Sequence, residues 1–337
     1  MHSYNFAFLL FIQSFFACNQ VSEESQLSPA SLVFNSITAS QQQSESGAAN
    51  IVFQSSDGGQ TWQDISAGLP GGLQAEGFFV GDGELYLRAE HGIYRSSTAS
   101  KAPVWEKELS IDDRSTSVSA GPAGVIAYNN SGRFSQKLNG TGVWLPIFTN
   151  FQDQSVRTVF ETPDGSVFVG CDNGIFKSAD HGKTWKHVFE DGWVINMVES
   201  GGVLICTNEQ GILRSTDGGE HWDVVLSEGG VGIAVERIEG GFAAITYNTE
   251  LKTRRVRTSA DGGKTWQPID AGLAPDPLIA SIKQVGGYFF CGHPDGIFRS
   301  ADRGKTWELL LPAIGKKVFN LSVLGNVIYA VPRDGGC

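Results

Sequence analysis

One short phrase is written five times in this chain: SSDGGQTWQDI from Ser55, SADHGKTWKHV from Ser178, STDGGEHWDVV from Ser215, SADGGKTWQPI from Ser259 and SADRGKTWELL from Ser300. Repetition of this kind is an architectural rule, because a unit of about 40 residues cannot bury its apolar face alone and must stack on copies of itself. The tryptophans set the period. Trp62, Trp105, Trp144, Trp185, Trp222, Trp266 and Trp307 lie 37 to 44 residues apart, and only Trp193 of the 8 tryptophans falls off the pattern. With 42 glycines to supply tight turns, that period predicts four-stranded β-propeller blades.

One unit shows the expected strands. In residues 155–189, strand A is expected at Val156 to Glu161, B at Ser166 to Cys171, C at Gly174 to Ser178 and D at Thr184 to Phe189. Thr-Pro-Asp-Gly supplies the A–B turn, Asp-Asn-Gly the B–C turn and the repeated phrase the C–D turn. Each has the Gly, Asp or Asn that its backbone needs. In Ser-x-Asp-x-Gly-x-Thr-Trp the aspartate (Asp57, Asp180, Asp217, Asp261, Asp302) is expected to accept backbone N–H groups across the turn. The tryptophan (Trp62, Trp185, Trp222, Trp266, Trp307) should open strand D facing a neighbouring blade.

Two more units, from Gly92 and Gly132, keep strand C and the tryptophan but lack the aspartate and carry one or two extra residues. After Trp307 the chain supplies strands A and B of one further blade, whose strands C and D are found only in NIVFQSSDGGQTWQDI near residue 50. The sequence therefore predicts an all-β, seven-bladed β-propeller over 50–337. The two ends of that segment share blade 1, which removes exposed sheet edges.

The first 49 residues do not follow the repeat. Phe6 to Ala17 is an apolar run broken only by Gln13 and Ser14, shorter than the roughly 20 residues of a membrane span. It reads as a signal peptide over 1–17. Ala17-Cys18 resembles the end of a bacterial lipobox, which implies lipidation of Cys18, although no Lys or Arg precedes the apolar run. Residues 18–49, rich in Ser, Gln and Glu, are expected to be a flexible tether. The implied location is the cell envelope or outside the cell, with membrane contact only through the lipid. Cys171, Cys206 and Cys291 each end an apolar run and read as small core hydrophobes rather than disulfide partners. A formal net charge of −11 argues against a nucleic-acid surface and favours a basic partner.

The repeated phrases resemble those of the BNR/Asp-box repeat families, over about residues 50 to 335. These include sialidases, some glycan-cleaving hydrolases, the sortilin luminal domain and photosystem II assembly factors. The GIFRSADRGKTW form, with a basic residue before the Ser, is most similar to the last two. The resemblance implies a fold and leaves activity to the loops.

In a propeller, strand A begins at the face that usually binds ligands, so the D–A and B–C loops line that face and the Asp-boxes lie opposite. The D–A loops bring Asp112, Asp113, Arg114, Asp153, Glu190, Asp191, Trp193, Asp270 and Asp276. The B–C loops bring Glu90, His91, Asp172, Glu209, Glu250, His293, Asp295, Arg333 and Asp334. A sialidase-like reading implies three arginines, for which Arg114, Arg157 and Arg333 are the candidates, and a Tyr/Glu pair that is not evident beside them. A hydrolase of neutral glycans needs two carboxylates, for which Asp112, Asp113 and Asp153 are the candidates. Trp193, flanked by Glu190 and Asp191, is placed to stack on a sugar or anchor a partner. No metal-ligating set stands out and no cofactor is implied. The reading that the sequence favours is a non-catalytic binding or scaffold propeller for a protein or glycan partner. The alternative is a glycoside hydrolase of the sialidase-like type.

Overall fold

The computed structural model describes residues 50–81, 83–90, 92–100, 102–111, 116–121, 124–138, 142–147, 151 and 154–334. The expected signal peptide, Cys18 and the tether fall outside these residues. The described chain forms seven four-stranded antiparallel sheets, the seven-bladed β-propeller that the repeat predicts. Blades 2 to 7 span 75–107, 116–147, 156–189, 197–226, 229–268 and 281–312. Blade 1 takes strands A and B from Lys317–Leu324 and Val327–Asp334, and strands C and D from Phe53–Ser55 and Gln63–Asp64. Phe53 pairs with Ala330 and Ser55 with Ile328, so the expected closure is observed. The A strands of successive blades touch around the whole ring, blade 1 against blade 2 included.

Burial follows from this stacking. A strand B lies between two neighbouring blades, so both of its faces are covered and it reads as an unbroken apolar run. Val167–Cys171 is buried at every residue, and so is Gly124–Asn129. Strand D is the outer edge, where a missing backbone N–H costs nothing. Pro146, Pro268 and Pro312 all stand in D strands and blunt those edges against pairing with another chain. Each junction between blades holds its own apolar cluster.

The five Asp-boxes share one hydrogen-bond pattern. The Ser Oγ donates to the Asp Oδ1 at 2.8–2.9 Å and accepts the box Gly N–H at 2.7–2.9 Å. The Thr N–H donates to Asp Oδ1 and the Thr hydroxyl to Oδ2, as in Thr184 to Asp180 at 2.8 and 2.7 Å. His221 replaces Thr in one box and puts its Nδ1 2.6 Å from Asp217 Oδ2. The Thr61 hydroxyl, then the Thr61 N–H, hold the Asp57 carboxyl down at about 2. The box tryptophans pack as expected: the Trp185 ring meets Phe151 of the blade 3–4 junction edge-on at 4.8 Å, and Trp222 meets Phe168 of blade 4.

The basic residue before the box Ser ties one blade to the next. Arg214 Nε donates to the carbonyl of Gly262 at 2.6 Å, Arg299 to that of Gly58 at 3.0 Å, and Lys177 pairs with Glu220 at 2.6 Å. Blade 3 departs from this scheme. Its strand C begins at Phe134 rather than near Gly132, and the pairing of Val125 with Lys137 puts a lysine in the register of the box Ser, as Val167 pairs with Ser178. Lys137 is 3% exposed, and its ammonium group meets Glu84 and Tyr86 of blade 2.

Candidate functional site

Antiparallel order puts the D–A and B–C connections at one end of the ring and the Asp-boxes at the other. Of the residues expected at the first face, Asp112, Asp113, Arg114, Asp153 and His91 lie outside the described residues. Arg157, Asp172 and Trp193 come together. Arg157, at the start of strand A of blade 4, pairs with Asp172 from the B–C turn of the same blade. Its guanidinium lies 5.9 Å from the ring centre of Trp193, in the connection to blade 5. Asn208 holds that connection in place by donating to the carbonyls of Asp191 and Trp193 at 2.9 and 3.2 Å. Gln210 donates to Asp191 Oδ2 at 2.5 Å. Glu209 packs on Gly192, where a Cβ would lie 2.5 Å from its carboxylate oxygen. The indole of Trp193 is half-buried, while Asp172, Glu190, Asp191 and Glu209 are exposed. Four exposed carboxylates thus stand on the turns and the connection that meet at Arg157 and Trp193, an acidic lip over blades 4 and 5.

Elsewhere on this face the carboxylates hold their own loops. Asp270 accepts Arg255 Nε and Nη2 at 2.7 and 3.1 Å and the Val256 N–H at 2.9 Å. Burial pushes its carboxyl up, but Arg255 and the Val256 N–H outweigh that and hold it below the usual carboxylate range. Asp276 accepts the Leu278 N–H at 2.7 Å. His293 is buried, with Nε2 2.9 Å from the Ala274 carbonyl and Nδ1 accepting the Asp295 N–H at 3.1 Å. Among the described residues no three His, Cys, Asp or Glu side chains gather as a metal site.

Arg333 was expected in a B–C loop and stands instead inside strand B of blade 1, paired with Val318. Burial lowers its pKa, the positive charge of Arg88 lowers it further, and Glu76 opposes both. Arg88, from blade 2, lies 3.3 Å from Glu76 and donates to the Ser117 hydroxyl at 2.8 Å. Arg157 and Arg333 therefore sit in blades 4 and 1 with different partners. Over blades 1 and 2 the guanidinium groups of Arg88 and Arg333 share Glu76, with Glu90 and Asp334 exposed at the same end. The sequence did not single out Arg88 or Glu76, because their meeting with Arg333 depends on blade 1 being closed by the end of the propeller.

Residues 175–188 and 297–310 match the BNR-Asp box repeat, that is, the strand C to strand D halves of blades 4 and 7. The sequence matches no curated protein. Among solved structures, an ancestral GH74 enzyme is similar with a TM-score of 0.60 and 13% identity over 85% of this chain, which spans only 46% of that enzyme. YCF48 from Cyanidioschyzon merolae is similar with a TM-score of 0.58 and 13% identity, covering 78% of this chain and 96% of that one. A structure of YCF48 bound to D1 peptide has a TM-score of 0.56 and 14% identity, covering 80% and 95%. At these identities the likeness is one of fold.

Proposed function

Starting from a seven-bladed propeller built on BNR-Asp box repeats, we propose that the chain is a non-catalytic binding or scaffold module that takes a basic polypeptide segment at its loop face. The observation that carries this reading is the acidic lip around Trp193, where four exposed carboxylates stand on the turns and the connection that meet at the indole and Arg157. A ring of this kind supplies apolar area at low entropic cost, and the carboxylates select a cationic partner and speed its encounter. A propeller of similar fold, YCF48, has been solved with a peptide bound, which supports protein binding in general.

The test is titration of the purified chain with a lysine-rich peptide carrying one tyrosine, and with the same peptide bearing glutamate for lysine. Binding of the first only, weakened roughly tenfold by Trp193→Ala and by added salt, supports the reading. Equal binding of both peptides refutes it. A fluorogenic glycoside panel tests the hydrolase alternative. Turnover lost in Asp112→Asn, Asp113→Asn or Asp153→Asn would replace the binding reading with a carboxylate mechanism.

We further infer, from the apolar run at Phe6–Ala17 and from Cys18, that the propeller is exported and held at a membrane by lipid on Cys18, with 18–49 as its tether. Incorporation of labelled palmitate, abolished by Cys18→Ser, is the expected result; no incorporation in the unmodified chain would overturn it.

A further inference from the structure

The junction between blades 3 and 4 is built differently from those between blades 4 and 5, 5 and 6, and 7 and 1. At each of those three a large side chain in strand B covers the box glycine of the next blade. The Phe168 ring would overlap a Cβ on Gly219, Ile205 would press on one at Gly263, and Phe290 with Leu310 on one at Gly59. Strand register identifies the equivalent residue in blade 3. Phe168 pairs with Lys177, Ile205 with Arg214, Phe290 with Arg299, and Ile126 with Gln136. Both blade 3 residues are shorter than the Phe168–Lys177 and Phe290–Arg299 pairs, and Gln136 is shorter than Arg214. A Cβ on Gly182 would meet nothing nearer than the Trp185 ring at 3.5 Å.

The space left is a cavity of about 250 Å³ at the Asp-box end of the ring, lined by Ile126, Phe134, Ile147, Val159 and Trp185 with Glu161 in its wall. Cavities of about 150 Å³ already admit benzene, so this one holds a bicyclic ring with a short side chain. Its walls are mostly apolar and aromatic, with Gln136 and His181 as the polar side chains besides Glu161. The buried Glu161 carboxylate ends strand A of blade 4 beside Gly121, and a carboxylate has about four acceptor positions. A ligand fitting both features needs a flat apolar body to replace the missing plug and a positive donor to reach Glu161.

We propose that the space between blades 3 and 4 is a binding site for a small aromatic amine, whose ring lies against Trp185 and Phe134 and whose ammonium group donates to Glu161. The site is at the opposite end of the ring from the acidic lip around Trp193, and either reading can fail without the other. It also gives the loss of the Asp-box in blade 3 a consequence: the strand register set up around Lys137 places Ile126 and Gln136 where blades 4, 5 and 7 carry larger pairs.

Calorimetric titration of the purified chain with tryptamine, indole and indole-3-acetate tests this. Tryptamine is expected to bind saturably, indole more weakly and indole-3-acetate weakest. Glu161→Gln should weaken tryptamine roughly tenfold or more, the loss of one charge-assisted hydrogen bond, and leave indole nearly unchanged. Ile126→Phe restores the plug seen in blades 4 and 7 and should abolish binding of all three while keeping the native circular dichroism and an equal or higher melting temperature. Absence of saturable tryptamine binding overturns the proposal. So does binding that survives in a folded Ile126→Phe chain, and so does indole-3-acetate binding as tightly as tryptamine. If the Glu161→Gln chain does not fold, the Ile126→Phe result and the order of the three probes decide.

Discussion

Truncation of Phe168 to alanine is the sharpest test of the stacking scheme. The residue is 1% exposed, sits in the apolar cluster between blades 4 and 5, meets the Trp222 ring edge-on at 6.4 Å and covers Gly219. Its removal opens a cavity bounded by two rigid sheets that relax little, so the loss should lie at the usual Phe→Ala cost of about 3–5 kcal/mol. Against a total stability on the order of 5–15 kcal/mol that is a large fraction. It corresponds to a fall in melting temperature of roughly 5–8 °C at this size. The assay is thermal unfolding of the purified chain followed by circular dichroism, with Val224→Ala as the control. Val224 is 45% exposed on the outer strand of blade 5, where substitutions usually stay within about 0.5 kcal/mol. A Phe168→Ala shift no larger than that of the control would refute the idea that strand B side chains hold neighbouring blades together.

Three other outcomes are expected. Arg303 occupies the left-handed region, with φ 61°, at a box position where three of the five boxes carry glycine. Arg303→Gly should therefore raise stability by about 1 kcal/mol, read as a higher urea midpoint, and a lower midpoint would show that the side chain holds the turn. The Asp57 carboxyl is depressed to about 2 by Thr61. A group lowered in the folded state stabilises above its unfolded value near 3.9 and loses that effect as pH falls through its folded value. The urea midpoint should accordingly drop between about pH 4 and 2, and drop less in Asp57→Asn. Burial pushes the thiols of Cys171, up to about 12, and Cys206 and Cys291 far from ionisation. A thiol reagent at pH 8 should leave all three unmodified until the chain is unfolded, with rapid labelling in the native state as the contrary result.

The parts of this molecule that are legible from sequence are those set by local turns repeated many times. Strand A of blade 4 falls at Val156–Glu161 as expected, and strand C at Gly174–Ser178, because Pro-Asp-Gly and Asp-Asn-Gly fix where each strand must stop. Strand D starts at Lys186, two residues later than expected, since Thr184 is engaged by Asp180. The closure of blade 1 was legible too, from a count of strands. Contacts that join distant segments were not. Arg157, Asp172 and Trp193 could each be named, but their meeting depends on how blade 4 leads into blade 5. Arg333 was assigned to a loop because the length of strand B in blade 1 is set by its pairing with Lys317–Leu324, which no local signal records. The space beside Gly182 was hidden for a related reason: without an Asp-box in blade 3, the register that aligns Ile126 with Phe168 cannot be read from the sequence.

Blade 1 has a consequence for how the protein is made. Its outer strand pair ends at Asp64 and its inner pair begins at Lys317, so some 250 residues must leave the ribosome between them. At synthesis rates of about 5–20 residues per second that interval is roughly 13–50 s. During it the early strand Phe53–Ser55 has no partner for its inner edge, and the first six blades to be completed form an open arc. The nascent chain therefore carries an unpaired strand for most of its synthesis, and this interval is when it most needs protection from pairing with a neighbour.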